Sequence, residues 1–235
     1  MPKERTIQTE LGGYISTVLR KHFGKGPTSV YVTVQRPYLA IHFRGFISPI
    51  EKILLKQNEW KRVLKTRDLL VNELKPQILA EIQKVTELEF KELYADWNLP
   101  LETGMFLAIS DEKPASKNLE WPKDLNKKLF HQKIEQINET AEKKPGYIES
   151  YWLSNRTLVM KRSEILVGIE KALIDEGYTE VLKLAKRPLE RSLLEQAGLE
   201  NVLRRDIIET FMDWNFDQDV GFVLFLLESE FRGQK

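Results

Sequence analysis

The sequence contains no cysteine, which excludes disulfide bonds, thiolate metal sites and cysteine nucleophiles. Histidine is also scarce. His22, His42 and His131 stand in no metal-binding spacing such as HExxH. The Gly-x-Ser-x-Gly motif of serine hydrolases and the phosphate-binding P-loop are missing as well. The sequence therefore predicts a protein that is not an enzyme, with no catalytic residue, no cofactor and no metal site.

Strong net charge and long apolar runs are absent too. The net charge is +1, so no overall field attracts nucleic acid, and no nucleic-acid partner is expected. The longest apolar run, 220–227, is far shorter than the roughly 20 residues that cross a bilayer. The first ten residues are charged and do not resemble a signal peptide. These features predict a cytoplasmic protein without a membrane span.

Two short motifs each occur twice at nearly the same separation. Ile-Glu-Lys stands at 50–52 and again at 169–171, 119 residues later. Asp-Trp-Asn stands at 96–98 and again at 213–215, 117 residues later. A glycine follows each Asp-Trp-Asn at equal distance, at Gly104 and Gly221. Chance recurrence is the alternative, but agreeing offsets favour a tandem repeat.

A polar segment with two prolines separates the two copies. We therefore predict a first repeat at 1–112, a linker at 113–124 and a degenerate second repeat at 125–235. Trp121, inside the linker, is expected to pack back onto one of the repeats.

Periodicity gives the order α-β-β-α-α-β-β for the first repeat. The first expected helix ends near residue 23. The next two span 49–57 and 60–86, the second of them with a bend at Pro76. The expected strands are 29–34, 38–46, 88–96 and 105–109. Ser48, Pro49 and Glu51 form a complete helix start, with a capping serine, proline at the first helical position and a capping-box glutamate.

The second repeat follows the same order with weaker signals. Its expected helices are one around 129–137, then 165–185 and 189–203, and its expected strands are 147–153, 157–161, 206–214 and 222–227. The capping box is lost there. The fold class predicted is α+β: two units, each an antiparallel sheet with helices on one face, related by a pseudo-twofold axis. A homodimer is also compatible with this arrangement.

The two Asp-Trp-Asn motifs supply the candidate acidic residues. The run 213–219 alternates acidic and amide side chains, as calcium loops do. It lacks the glycine and glutamate that an EF-hand needs at its sixth and twelfth positions, so a turn is favoured. Asp96 and Asp213 could instead form a two-carboxylate site. A turn-stabilising role, with Trp97 and Trp214 packed beneath, is the preferred interpretation.

Two motifs of the first repeat resemble a known bacterial family. Phe23-Gly24-Lys25-Gly26-Pro27 is similar to its Gly-Arg/Lys-Gly-Pro turn, and 46–51 is similar to its hydrophobic-Thr/Ser-Pro-x-Glu step. The family is MpsC, from Bacillus-like bacteria, a component of a sodium-translocating, membrane-potential-generating system. The resemblance covers about 5–110 well and 125–228 weakly. It implies an accessory subunit linked to a membrane system, and it assigns no catalytic residue.

Two hypotheses follow. The first is a non-enzymatic cytosolic accessory or interaction protein, peripheral to the membrane through a membrane-protein partner. The alternative is a small-molecule-binding sensor with a ligand pocket between the repeats. The candidate structural or interaction residues are Gly26, Pro27, Ser48, Pro49, Glu51, Asp96, Trp97, Asp213 and Trp214.

Overall fold

A computed structural model describes residues 2–112 and 121–229 of the chain. The chain divides into two compact units whose boundary falls between the two described ranges. Most of the predicted linker, 113–120, therefore lies outside the described residues. Trp121 packs onto the second unit, with its ring 5.2 Å from that of Phe130 and 5.9 Å from that of Trp152.

The first unit has the predicted order of elements. They are α1 (Pro2–Phe23), β1 (Ser29–Gln35), β2 (Tyr38–Arg44), α2 (Pro49–Lys56), α3 (Trp60–Thr86), β3 (Glu92–Asn98) and β4 (Thr103–Ile109). All strand pairs are antiparallel, and the order across the sheet is β1-β2-β4-β3. Helices α1 and α3 contact the sheet and each other.

The second unit repeats this plan with one short extra helix. Its elements are α4 (Lys127–Ala141), β5 (Tyr147–Ser154), β6 (Thr157–Ser163), α5 (Gly168–Asp175), α6 (Thr179–Gln196), α7 (Leu199–Leu203), β7 (Ile207–Asn215) and β8 (Val220–Leu227). The sheet order is β5-β6-β8-β7, the same as in the first unit. The predicted α+β class, two similar units with antiparallel sheets, is confirmed.

Several predicted boundaries were wrong. The expected helices 165–185 and 189–203 are in fact three, because the chain breaks around Gly177, which has a φ of +80°, and Gly198, which has a φ of +62°. Helix α6 instead continues through Pro188. Strand β3 begins at Glu92, four residues later than expected. The predicted span of α3, 60–86, is confirmed, and the helix continues through Pro76.

Matching strand registers support the internal repeat. In the first sheet, Gly104 pairs with Phe43 on one side and Trp97 on the other. In the second sheet, Gly221 pairs with Arg162 and Trp214 in the same way. The offsets read from the sequence therefore relate positions that are also equivalent in space.

Each unit has an apolar core between its helices and its sheet. In the second unit this core includes Phe130, Ile134, Leu158, Leu199 and Phe225, all fully buried. The first unit buries Leu11, Ile15, Ile78 and Phe106 equally well. Among the described residues, no helix combines the length and apolarity that a bilayer crossing requires.

Candidate functional site

Arg67 forms a buried ion pair with Glu51 in the first unit. Arg67 projects from α3 and is 0% exposed. Its Nε and Nη2 donate hydrogen bonds of 2.7 and 2.9 Å to the two carboxylate oxygens of Glu51. Nη2 also donates to the backbone carbonyl of Phe46 at 2.9 Å. This two-point contact joins the start of α2 to the middle of α3.

The capping box places Glu51 for this contact. Glu51 Oε2 accepts the backbone N–H of Ser48 at 2.7 Å, and the N–H of Glu51 donates to Ser48 Oγ at 3.4 Å. Pro49 occupies the first turn. Burial would raise the pKa of the Glu51 carboxyl, but the hydrogen bonds and charge of Arg67, with the Ser48 amide, hold that pKa below its usual value.

Two neighbouring aromatic rings contact the Arg67 guanidinium. Its Cζ lies 4.7 Å from the ring centroid of Phe46 and 4.8 Å from that of Trp97, within cation–π range. The Trp97 indole donates from Nε1 to Asp68 Oδ1 at 3.2 Å. A Cβ on Gly104 would come within 2.7 Å of Trp97 and 2.4 Å of Phe43, so the rings need glycine there.

The second unit contains the equivalent ion pair with lysine in place of arginine. Lys186 on α6 corresponds to Arg67 at the 119 offset, and Glu170 corresponds to Glu51. Lys186 Nζ donates to Glu170 Oε1 at 2.7 Å and lies 5.9 Å from the Trp214 ring centroid. Glu170 still accepts the backbone N–H of Val167 at 3.0 Å. Only half of the capping box is lost, because the valine side chain has no acceptor for the return bond.

Three further charged side chains enter this second site. Glu142, Arg162 and Glu190 stand at the 119 offset from Phe23, Phe43 and Val71, so three apolar positions have become ionisable. Their side chains are 2–4% exposed. The result is a buried cluster, which we call the second-unit charge cluster: Glu142, Arg162, Glu170, Lys186 and Glu190.

Short contacts connect the members of this cluster. Arg162 Nη2 donates to Glu190 Oε2 at 2.5 Å, and Arg162 Nη1 donates to the side-chain oxygen of Asn138 at 3.0 Å. Lys186 contacts Glu142 and also lies 3.5 Å from Glu190. The Trp214 indole donates to Glu190 Oε1 at 3.1 Å.

These neighbours shift the pKa values in different directions. Burial would raise the pKa of Glu190, but Arg162 and Lys186 hold it below its usual value. The pKa of Lys186 is raised because Glu190, Glu142 and Glu170 outweigh the opposing effect of burial. For Glu142, burial comes first and the charges of Glu190 and Glu170 add to it, so its pKa rises to about 7 despite Lys186.

Asp96 and Asp213 lie inside strands β3 and β7, not in the turns that follow. Both are buried, at 2% and 5% exposure. Asp213 Oδ1 accepts from its neighbour's backbone amide at 2.8 Å and lies 2.8 Å from Lys183 Nζ. The described residues contain no group of three or more histidines or carboxylates that could hold a metal ion.

Gly26 and Pro27 lie at the connection that follows α1, and both are buried. Gly24 has the left-handed φ of +73° expected of a helix-ending glycine. A Cβ on Gly26 would stand 3.0 Å from the Ser16 carbonyl and 3.1 Å from Arg20 Nε. Glycine there permits the close return of the chain along α1, which is a structural role.

The structure brings some predicted site residues together and adds others. Glu51 and Trp97 both contact Arg67, and Trp214 contacts the equivalent Lys186. Sequence reasoning missed Arg67 and Lys186, as well as the three added charges. The 119 offset could have paired Arg67 with Lys186, but only packing shows that both are buried beneath a tryptophan.

The first unit also matches a known family. The model of the family described as "Na+-translocating membrane potential-generating system (MpsC)" matches residues 3–112. The amino-terminal unit is similar to this family. This confirms the resemblance predicted for about 5–110, but the match does not extend to 125–228, where a weaker resemblance was predicted. The buried pair of Glu51 and Arg67 lies within the matched range. No curated protein and no solved structure matches the chain.

The match to MpsC ends before the second unit. The second unit keeps the sheet order of the first unit, the glutamate at the helix start and the tryptophan. It has lysine in place of the arginine, and it has three ionisable residues at positions that are apolar in the first unit. The two units therefore share a sheet topology but bury different charged side chains.

Proposed function

We propose that this chain is a non-enzymatic accessory component of a membrane-potential-generating system, and that it acts by binding a membrane protein. The observation that carries the proposal is the MpsC match over residues 3–112. The family's description names the membrane system. The described contacts of the buried ion pairs support a structural role for them, since they hold helices to one another and to the sheet.

A surface residue common to both units supports binding. Ile50, in the first turn of α2, is 67% exposed, and Ile169, its equivalent on α5, is 69% exposed. Single exposed apolar residues are common on protein surfaces, so the recurrence of this isoleucine at the same position of both units is the observation that supports binding. Ile53, one turn further along α2, is 56% exposed and lies on the same helix face. We expect a protein partner to contact the solvent-facing side chains of α2 and α5.

Helices α2 and α5 also form equivalent ion pairs with the turn before the last strand of their unit. Lys52 Nζ lies 2.9 Å from Glu102 Oε1, and Lys171 Nζ lies 3.1 Å from Asp219 Oδ2. Asp219 Oδ1 also accepts the backbone N–H groups of Ile165 and Leu166 at 2.7 and 2.8 Å. Each helix therefore contacts the turn before the last strand of its unit at an equivalent position.

The test is affinity purification of the tagged chain from mildly solubilised cells of its source, read by mass spectrometry. We expect the wild-type chain to recover one membrane protein in a fixed ratio. The double variant Ile50→Glu/Ile169→Glu should lose it, because it places charge at both contact points. Leu69→Glu, at an exposed leucine of α3 (55% exposed), is the matched control and should retain it.

Recovery of the wild-type chain without any membrane protein would contradict the proposal. Equal recovery by the double variant and the wild type would contradict the assignment of the surface. The alternative predicted from the sequence, a ligand pocket between the repeats, stays a prediction, and a thermal-shift screen of metabolites would test it.

A further inference from the structure

The three carboxylates of the second-unit charge cluster are not equally well satisfied. Glu190 accepts from Arg162 and from the Trp214 indole. Glu170 accepts from Lys186 and from the backbone N–H of Val167. Glu142 has a contact to Lys186 through Oε1 alone, and its buried Oε2 has no hydrogen-bond partner. Glu142 is thus the carboxylate of the three that accepts the fewest hydrogen bonds.

The formal charges of the cluster do not balance when every group is ionised. Glu142, Glu170 and Glu190 carry three negative charges, and Arg162 and Lys186 carry two positive charges, which leaves a net charge of −1. The side chains are at most 9% exposed. A buried excess charge is unfavourable because water cannot solvate it. One proton on a carboxylate makes the cluster neutral.

We propose that the second unit contains a proton-binding site at Glu142, which holds its proton in acidic surroundings and releases it as the pH rises through neutral. The proton goes to a carboxyl that lacks a second donor, so neither Glu170 nor Glu190 gives up a hydrogen bond that its ionised form accepts. Burial, together with the charges of Glu190 and Glu170, raises the pKa of Glu142 to about 7 against the opposing effect of Lys186.

Lys186 contacts Glu142, the charges of Glu170 and Glu190 act on it, and Arg162 joins the cluster through Glu190. Glu170 comes from α5, Lys186 and Glu190 from α6, and Arg162 from β6. Glu142 itself caps the carboxyl end of α4, where its N–H donates to the Asn138 carbonyl at 2.7 Å. The proton therefore acts where α4 meets α6. The first unit has Phe23 at this position and has no such site.

The direction of the pH effect follows from the raised pKa. Between about pH 4.5 and about pH 7 the folded chain holds the Glu142 proton, whereas the unfolded chain has released it. Folding is therefore favoured most below the unfolded value. The contribution of Glu142 to stability falls as pH rises through the folded value and stays low at higher pH.

The direct test is carboxyl carbon NMR of the full chain labelled with carbon-13, titrated from about pH 4 to about pH 9. In the wild type we expect one glutamate carboxyl to titrate within about one unit of pH 7. That resonance should be missing from Glu142→Gln. It should remain in Glu139→Gln, which changes an exposed glutamate of the same helix.

Thermal unfolding gives a second measurement. The melting temperature of Glu142→Gln relative to wild type should increase as pH rises from about 5 to about 8.5, whereas that of Glu139→Gln should not change with pH. The proposal is overturned if every glutamate carboxyl of the wild type titrates below about pH 5.5, or if the high-pH resonance persists in Glu142→Gln. The NMR measurement on the wild type decides the question even if the variant does not fold.

Discussion

One buried position carries a different cation in each unit. Arg67 and Lys186 both lie beneath a tryptophan and both neutralise the glutamate at the start of the preceding helix. The guanidinium fork contacts both oxygens of Glu51, whereas the ammonium of Lys186 is a point charge. Lysine at this position can therefore be shared among several carboxylates, as it is in the second-unit charge cluster.

Removing the cation of the first unit should be costly. Arg67→Met leaves Glu51 and the Phe46 carbonyl buried without their donor, and we expect the free energy of unfolding to fall by about 3–5 kcal/mol. Arg67→Lys should lose less, because the second unit folds with lysine there. Urea denaturation monitored by circular dichroism measures both.

Arg62→Met is the control for Arg67→Met. Arg62 lies on the same helix, is 65% exposed at its side chain and stands 3.7 Å from Glu59. We expect a change of no more than about 0.5 kcal/mol, since exposed pairs contribute little. A loss for Arg67→Met as small as that of the control would show that the buried pair does not stabilise the fold.

Among the helices, α2 and α5 are the best matched pair. Both have eight residues, both begin after an extended residue, and both carry a glutamate that accepts the backbone N–H of the capping position. They differ in the cap itself, which is Ser48 in α2 and Val167 in α5. Helix α5 therefore begins with one more backbone donor lacking a side-chain acceptor.

This difference predicts opposite effects at equivalent positions. Ser48→Ala should lower the free energy of unfolding by about 1 kcal/mol, because it removes a helix cap. Val167→Ser should raise it by up to about 1 kcal/mol, because it supplies the cap that α5 lacks. Thermal unfolding of the two variants beside wild type measures the signs, and a gain for Ser48→Ala would contradict the assigned capping role.

The whole chain combines two units with one sheet topology and different buried charge. In the first unit, Glu51 is held ionised by Arg67 and the Ser48 amide. In the second unit, Glu142 is the third carboxylate of a cluster that contains two cations, Arg162 and Lys186. We therefore expect acid to weaken the first site and alkali to weaken the second.

The loss of stability that we expect for the first site in acid can be tested at Glu51. Its folded-state pKa is lowered, so its contribution to stability is complete above the usual value of 4.5 and is lost as pH falls through the folded value. The excess melting temperature of wild type over Glu51→Gln should shrink as pH falls from about 6 to about 3. Glu73→Gln, at an exposed position of α3, should show no such trend. An excess that stays constant over this range would contradict the lowered pKa.

Much of the fold could be predicted because its signals are local. Helix α1 shows helical periodicity, the β1–β2 hairpin shows alternation, and α2 carries its own capping residues. Some errors arose where a local signal was overlooked, as at the helix breaks around Gly177 and Gly198. Another arose where packing opposes a local signal. Proline normally ends a helix, yet α6 continues through Pro188, with Leu182 and Leu194 buried on either side of it.

The candidate site was predicted only in part. The repeated motifs pointed to Glu51, Trp97 and Trp214, because they recur at fixed offsets. Arg67, Arg162 and Lys186 belong to no recurring motif. In a sequence with 30% charged residues, nothing local separates a buried arginine from a solvated one.

The sequence by itself determined the repeat, the class of fold and the resemblance of the first unit to MpsC, because these depend on short motifs and on the spacing of apolar residues. The tertiary structure decided which charges are buried and which partners they meet. Charge is stabilised or penalised by the groups that surround it in space. Five residues from α4, β6, α5 and α6, distant in sequence, become one cluster only when the second unit is folded.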